Sequence, residues 1–313
     1  MSRIVYLAPY ASSNTGGNKV VFRHVEALNA MGLRAVVRRS AQMAPPDWFR
    51  HEAPTEDGSA PLDADDILVA PEDSPETLRH CAGLPNRTVI FCQNPYALAS
   101  FGLAALPPEL KPRFRTFMAC GVGVAGMIAR FFDYDLISVV PGFADERTFR
   151  AAPKEQVIAC SPRHRKVEQL AIRYMFERLH PDAAAWRWEP METHTEDEVA
   201  EVMGRASVFL SLARMEALSL TTLEAMASEC LVAGFTGVGA REFTSAVNGI
   251  WADEDDCEAC AHALVRAVVM AERGGGAAAL MRHAAAQTAA QWSHAAFVQA
   301  LGAFWRDRMG VTA

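Results

Sequence analysis

Short apolar runs alternate with helical periods along the first third of the chain. Ile4, Val5, Tyr6 and Leu7 predict a strand. Gly16 and Gly17 follow as a turn, and apolar spacing predicts a helix from about Lys19 to Met31. Gly32 ends it, and Leu33 to Val37 begins a second strand. Strand, glycine turn, helix and strand form a βαβ unit, which implies a parallel sheet. Ile67 to Val69 and Thr88 to Phe91 predict further strands. Residues 41–66, rich in Pro, Asp and Glu, read as an irregular solvated excursion. Ile137 to Val140 followed by Pro141 and Gly142 reads as a hinge. A second series then begins. Val157 to Cys160, Val208 to Leu210 and Leu231 to Ala233 predict strands, with a helix from about Val167 to Leu179. Thr195 and Glu198 have the spacing of a capping box that opens a helix to Met203. From Asp256 onward the pattern is mostly helical, broken at the glycines of Arg273 to Ala277. The expectation is two doubly wound α/β domains facing a central cleft. One spans 1–142 and is joined by the last helix, about 294–313; the other spans 143–293.

The 313 residues, half of them hydrophobic, are enough for two cores. The net charge of −7 argues against a nonspecific nucleic-acid binder. Seven scattered cysteines suit a reducing cytoplasm better than a disulfide framework. The first apolar run is too short for a signal peptide, and no run of about 18 apolar residues predicts a membrane span.

The stretch Glu216 to Ser228, EALSLTTLEAMAS, carries the chemistry. Ser219 is placed to cap a helix beginning at Leu220. The amides and dipole of that start suit an anion. Glu216, in the loop before it, could approach a sugar, and Glu224, more than one turn inside, could bind ribose hydroxyls. The alternative is two surface glutamates flanking an amphipathic helix.

The longer stretch from Ala206 to Phe243 resembles the donor-binding half of glycosyltransferase family 4. The shared features are Glu216, Glu224 within Leu223 to Ala227, Gly237, Gly239, Glu242, and Val247 to Gly249. VVPGFADERTF, from Val139 to Phe149, resembles the family linker, and Trp292 and Phe297 resemble its closing helices. The resemblance implies the GT-B fold, two Rossmann-like domains, and a retaining transfer from a nucleotide diphosphate sugar. It implies no metal and no cofactor, the nucleotide sugar being a co-substrate. Its acceptor would be a saccharide or lipid-linked hydroxyl, in polysaccharide or glycoconjugate synthesis. Where the family has Gly-Phe-Gly, this chain has Ala217, Leu218 and Ser219.

By the same resemblance, Arg163 and Lys166 in CSPRHRKVEQ would neutralise the departing diphosphate, with Arg165 in reserve. Glu216 would orient the donor sugar. Glu224, Leu218, Ser219, Leu220, Gly16 and Gly17 would border the nucleotide and phosphates. Gln93, Asn94 and Tyr96, after a predicted strand, would be acceptor or sugar contacts, or a capped turn before Pro95. Two competing readings remain: a catalytically silent partner-binding subunit, and a sugar-nucleotide hydrolase or epimerase on the same fold. Cys257 and Cys260 form a lone C-x-x-C without a second pair. Asp133, Tyr134 and Asp135 mimic a metal-binding D-x-D. Lys111, Arg113 and Arg115 among Pro107, Phe114 and Phe117 read as a solvated face, or as a weak contact of a cytoplasmic protein with anionic lipid.

Overall fold

Two successive parallel sheets, each covered by helices on both faces, make up the chain. The computed structural model describes residues 2–9, 15–40, 44–134 and 137–312. They divide into one unit of Met1–Gly142 with Phe297–Ala313, and a second of Phe143–Ala296.

The first unit runs β1 (Ile4–Ala8), α1 (Gly16–Ala30), β2 (Ala35–Arg39), β3 (Thr55–Asp57), β4 (Ile67–Pro71), α2 (Pro75–Ala82), β5 (Arg87–Cys92), α3 (Ala97–Ser100), β6 (Thr116–Ala119), α4 (Val122–Phe132) and β7 (Ile137–Val139). The strands lie in the order β3-β2-β1-β4-β5-β6-β7, and every pairing is parallel. Ile4 and Val5 are wholly buried because both faces of this sheet are covered, which is why the strands read as continuous apolar runs.

Two expectations change here. Gly16 and Gly17 do not form a turn ahead of α1. They are its first two residues, after Thr15, whose side chain accepts the Asn18 amide. Residues 41–66 are also not wholly irregular. β3 pairs with β2, and Glu56 on it meets Arg3 at 2.8 Å and Arg38 at 2.6 Å. Ion pairs rather than an apolar pattern draw this short strand to the sheet edge, so periodicity does not reveal it.

The second unit runs β8 (Glu155–Cys160), α5 (Lys166–Leu179), β9 (Arg187–Pro190), α6 (Glu196–Arg205), β10 (Ala206–Leu212), α7 (Leu220–Ala227), β11 (Leu231–Phe235), β12 (Ile250–Ala252), α8 (Cys257–Arg273) and α9 (Gly275–Gln291). Its order is β12-β11-β10-β8-β9, again all parallel. Alternate residues feed opposite cores. Ile158, Cys160, Val208 and Leu210 pack with Ile172 and Phe176 of α5 and with α8. Val157, Ala159 and Phe209 pack with Leu223 and Met226 of α7 and with α9. The capping box at Thr195 forms in full and opens α6.

The last helix, α10 (His294–Ala303), continues into a π-helical turn over Phe304–Arg308. In the first unit, Phe297 and Trp305 are fully buried, and Arg87 donates to the Met309 carbonyl at 2.9 Å. Phe297 lies 5.1 Å from the buried ring of His24, whose Nδ1 is 3.0 Å from the Tyr6 hydroxyl. Among the described residues no helix is long and apolar enough to cross a membrane.

His24 gives a pH test of this packing. Burial lowers its pKa from 6.5 to about 3. Below 6.5 the unfolded chain takes up a proton that the folded chain refuses. Stability therefore falls as pH drops from 6.5 toward 3, by about 1.4 kcal/mol per unit from this group. Urea unfolding of wild type and His24→Gln between pH 7 and 4 checks it. The variant loses that part of the slope.

Candidate active site

In an open parallel sheet, ligands bind beyond the carboxyl ends of the strands where the order reverses. In the second unit that point lies between β8 and β10. The loop after β8 carries Arg163, Arg165 and, at the start of α5, Lys166. The loop after β10 carries Glu216, Leu218 and Ser219 and leads into α7 at Leu220. The fold thus brings these residues to one end of one sheet, with Glu224 one turn further along α7.

Glu216 is partly buried, and its Oε2 has no hydrogen-bond partner among the described residues. Burial raises its pKa above the usual carboxylate value, against the pull of the Ser219 hydroxyl and of Arg163 and Arg165. Arg163 is exposed. Lys166 is exposed as well and meets Glu192 at 2.9 Å. Glu224 is buried on the inner side of α7.

Ser219 stands at the cap position, but its hydroxyl does not cap. It lies 2.9 Å from Thr222 Oγ1, which lies 3.1 Å from Ser211 Oγ, which donates to the Phe235 carbonyl at 2.7 Å. The local hydroxyl network wins the side chain, so Ser219 leaves the first turn of α7 without a side-chain cap from its own N-cap position. Uncapped amides of this kind, with the helix dipole, favour an anion.

Of the three residues that stand where the resemblance would have Gly-Phe-Gly, none exposes its side chain. Ala217 and Leu218 are both buried, and Leu218 packs with Leu223 and Met226 in the core. A close backbone approach occurs at Gly239, in the turn after β11. A Cβ there would fall 2.5 Å from the Glu216 carbonyl oxygen and 2.6 Å from the Leu218 nitrogen.

Arg165 is a correction. Its side chain is only 1% exposed, so it is not a spare cation for a ligand. It pairs with Glu254 at 2.5 Å and Asp255 at 2.6 Å. Burial of a charge costs so much that its donors must be satisfied internally. Sequence reasoning missed these partners, and also missed Arg214 and His164. Arg163 and Arg214 both push the His164 pKa down, after burial, so three basic residues crowd this end of the sheet.

The first unit has its own group at its strand ends. Asn94 forms the capped turn: its Oδ1 accepts the Tyr96 and Ala97 amides at 2.9 and 3.1 Å. A Cβ on Gly17 would come within 3.3 Å of Gln93 Oε1, so the start of α1 and the Gln93 side chain adjoin. Tyr96 is 46% exposed. Unforeseen from sequence is Glu72, just after β4 at the order reversal of this sheet. Its Oε1 accepts the Gln93 and Asn94 amides, both at 2.7 Å. Burial, then the nearby Asp73 charge, raise its pKa to about 8.

Other singled-out residues resolve structurally. Phe114 and Phe117 are buried in the core, so neither ring joins Lys111, Arg113 and Arg115 at the surface. Arg113 and Arg115 instead hold the Leu84 and Pro112 carbonyls. Asp133 ends α4 in a left-handed conformation, and Asp135 lies outside the described residues. Burial pushes the Cys260 thiol up to about 12, which keeps it from acting as a thiolate.

Two parallel α/β units with these strand orders define the GT-B class of fold. Solved structures of that class superpose along nearly the whole chain. HepE of Anabaena, in complex with UDP-glucose, gives a TM-score of 0.74 at 13% identity, covering 99% of this chain and 100% of that one. Sucrose-phosphate synthase of Thermosynechococcus elongatus gives 0.73 at 14% identity, with the same coverage. Residues 177–270 match the model of the family described as glycosyl transferases group 1. An α-1,6-glucosyltransferase of Actinobacillus pleuropneumoniae serotype 7 is 27% identical over 249 residues, 71% of this chain and 69% of that protein.

The contact at Gly239 gives a second test. Gly239→Ala forces the Glu216 loop outward and destabilises the chain by about 1–3 kcal/mol, an overpacking cost. Gly276→Ala, in open space within α9, leaves stability equal or higher. Thermal unfolding of both variants checks the contrast.

Proposed function

We propose that the chain is a retaining glycosyltransferase that moves a hexosyl group from a nucleotide diphosphate sugar to an acceptor hydroxyl without a metal ion. The observation that carries this is the arrangement at the β8–β10 reversal. Arg163 and Glu216 sit there beside the uncapped start of α7, and one oxygen of Glu216 has no partner among the described residues. The glucosyltransferase relative and the UDP-glucose complex of HepE support a glucose-type donor, with uridine as the first base to try.

In this reading the α7 amides, Arg163 and Lys166 receive the diphosphate. Negative charge grows on the bridging oxygen as the glycosidic bond breaks, and cations already in place stabilise it without reorganisation. Glu216 accepts a hydroxyl of the transferred sugar, and Glu224 accepts the ribose hydroxyls. The acceptor hydroxyl attacks on the face the diphosphate leaves, and the departing phosphate takes its proton. Gln93 and Tyr96 border the acceptor, and Gly16 and Gly17 border the phosphates. The buried Ala217 and Leu218 leave the backbone amides available, which favours activity over a silent subunit. The acceptor class would be a saccharide or a lipid-linked saccharide of polysaccharide or glycoconjugate synthesis, met on the cytoplasmic side.

Incubation with UDP-glucose and a panel of saccharide acceptors tests the proposal, with the product anomer assigned by nuclear magnetic resonance. An α-linked product is expected, and it forms equally in EDTA. Hydrolysis alone in the presence of every acceptor would indicate a hydrolase instead.

Glu224→Ala is expected to weaken UDP binding by roughly 1.5–3 kcal/mol, the cost of a charged hydrogen-bonding partner. Isothermal calorimetry reads it. Arg163→Ala lowers kcat more than it raises KM, which steady-state kinetics separates.

A further inference from the structure

Four strands of the second unit end in loops that share one guanidinium. Arg165 closes the loop after β8. Its Nε donates to the carbonyl of Ala213, just past β10, at 3.1 Å. Its Nη2 and Nη1 donate to Glu254 Oε2 at 2.5 Å and Asp255 Oδ1 at 2.6 Å, both between β12 and α8. Its Cζ lies 4.4 Å from the ring centroid of Phe235, the last residue of β11.

Glu254 carries the restraint one step further. Its Oε1 accepts the Gly237 amide at 2.6 Å, in the turn after β11. Gly237 takes φ +57, and a Cβ there would strike the Arg214 backbone at 2.7 Å. That turn also contains Gly239, which presses on the Glu216 loop. Asp255, a non-glycine residue in the left-handed region at φ +65, is itself one of the Arg165 partners. Conformations of this kind persist where surrounding contacts over-determine them.

We infer that Arg165 and Glu254 are positioning residues that lock the loops after β8, β10, β11 and β12, so that Arg163, Glu216 and the start of α7 keep one arrangement around an anion. The inference rests on the reading of this unit as the nucleotide-sugar half. The physical reason for arginine is its planar fork. It reaches two carboxylates and a carbonyl at once and still stacks on a ring, which a lysine ammonium cannot do. A buried charge adds little net stability over an apolar side chain, but it accepts only a geometry that satisfies it. Arg165 therefore acts on the reaction through Arg163 and Glu216.

The test uses the full chain with Glu254→Gln, which keeps the shape and removes the charge, and Arg165→Lys, which keeps the charge and removes the fork. UDP affinity is measured by calorimetry below the melting temperature of each protein. Both variants are expected to bind UDP about tenfold or more weakly, the loss of one charge-assisted hydrogen bond expressed as affinity. Amide hydrogen exchange over 213–219 and 235–242 is expected to quicken in both. A purely structural role would lower the melting temperature and leave the UDP affinity of the folded protein unchanged. That result overturns the inference. If wild type itself fails to take up UDP, the uridine reading of the donor falls, and exchange decides alone: unchanged exchange in both variants means the loops are not locked by this pair.

Discussion

β8 and β10 are hydrogen-bonded neighbours whose chains leave the sheet toward opposite faces. Parallel strands cannot be joined by tight turns, so each must be followed by a crossover. After β8 the chain passes into α5, on the side of Ile158 and Leu210. After β10 it passes into α7, on the side of Ala159 and Phe209. The two exits diverge, and the Arg165 side chain reaches from the β8 connection to the Ala213 carbonyl just past β10. Every feature of the candidate site follows from this divergence. Arg163 comes from one exit, Glu216 from the other, and the free turn of α7 opens beside both.

Each unit places a carboxyl group at its own reversal of strand order, and burial raises the pKa of both. Their circumstances differ in a decisive way. One oxygen of Glu72 holds two backbone amides and so builds the turn of Gln93 and Asn94. Glu216 keeps an oxygen without a partner among the described residues, next to a cation. A buried carboxyl fixed by amides shapes a loop; one with an idle oxygen beside an arginine can receive a hydroxyl. Perturbed groups gather at functional sites, but their partners decide which of them meets a ligand.

The chain made its interior strands legible because they are buried on both faces and read as apolar runs. Ile4 to Leu7 and Val208 to Leu210 show this, and Thr195 with Glu198 announced the start of α6 by spacing alone. Strands held by other forces did not announce themselves. β3 is drawn to its edge by Glu56 between Arg3 and Arg38. β9, with Arg187 and Glu189, and the three-residue β12 are too short or too polar to stand out. In the candidate site, the positions of Glu216, Glu224 and Arg163, around α7 and after β8, were legible in the pattern of residues there, whereas their roles stay a proposal. The fate of Arg165 was not, because its partners Glu254 and Asp255 lie about ninety positions away. Ser219 misled for the opposite reason, since a hydroxyl three residues on competes with the helix amide.

The contrast in exposure between neighbouring arginines bears on ionic strength. Mobile ions weaken interactions between solvated charges beyond roughly 8 Å at physiological salt, and reach buried pairs far less. Arg163 and Arg214 lie at the surface, whereas the Arg165 side chain is 1% exposed. Added salt therefore dims the positive field at this end of the sheet, while the buried contacts of Arg165 with the loops around it keep their form. Attraction and shape are assigned to different arginines, and only attraction answers to the ionic surroundings.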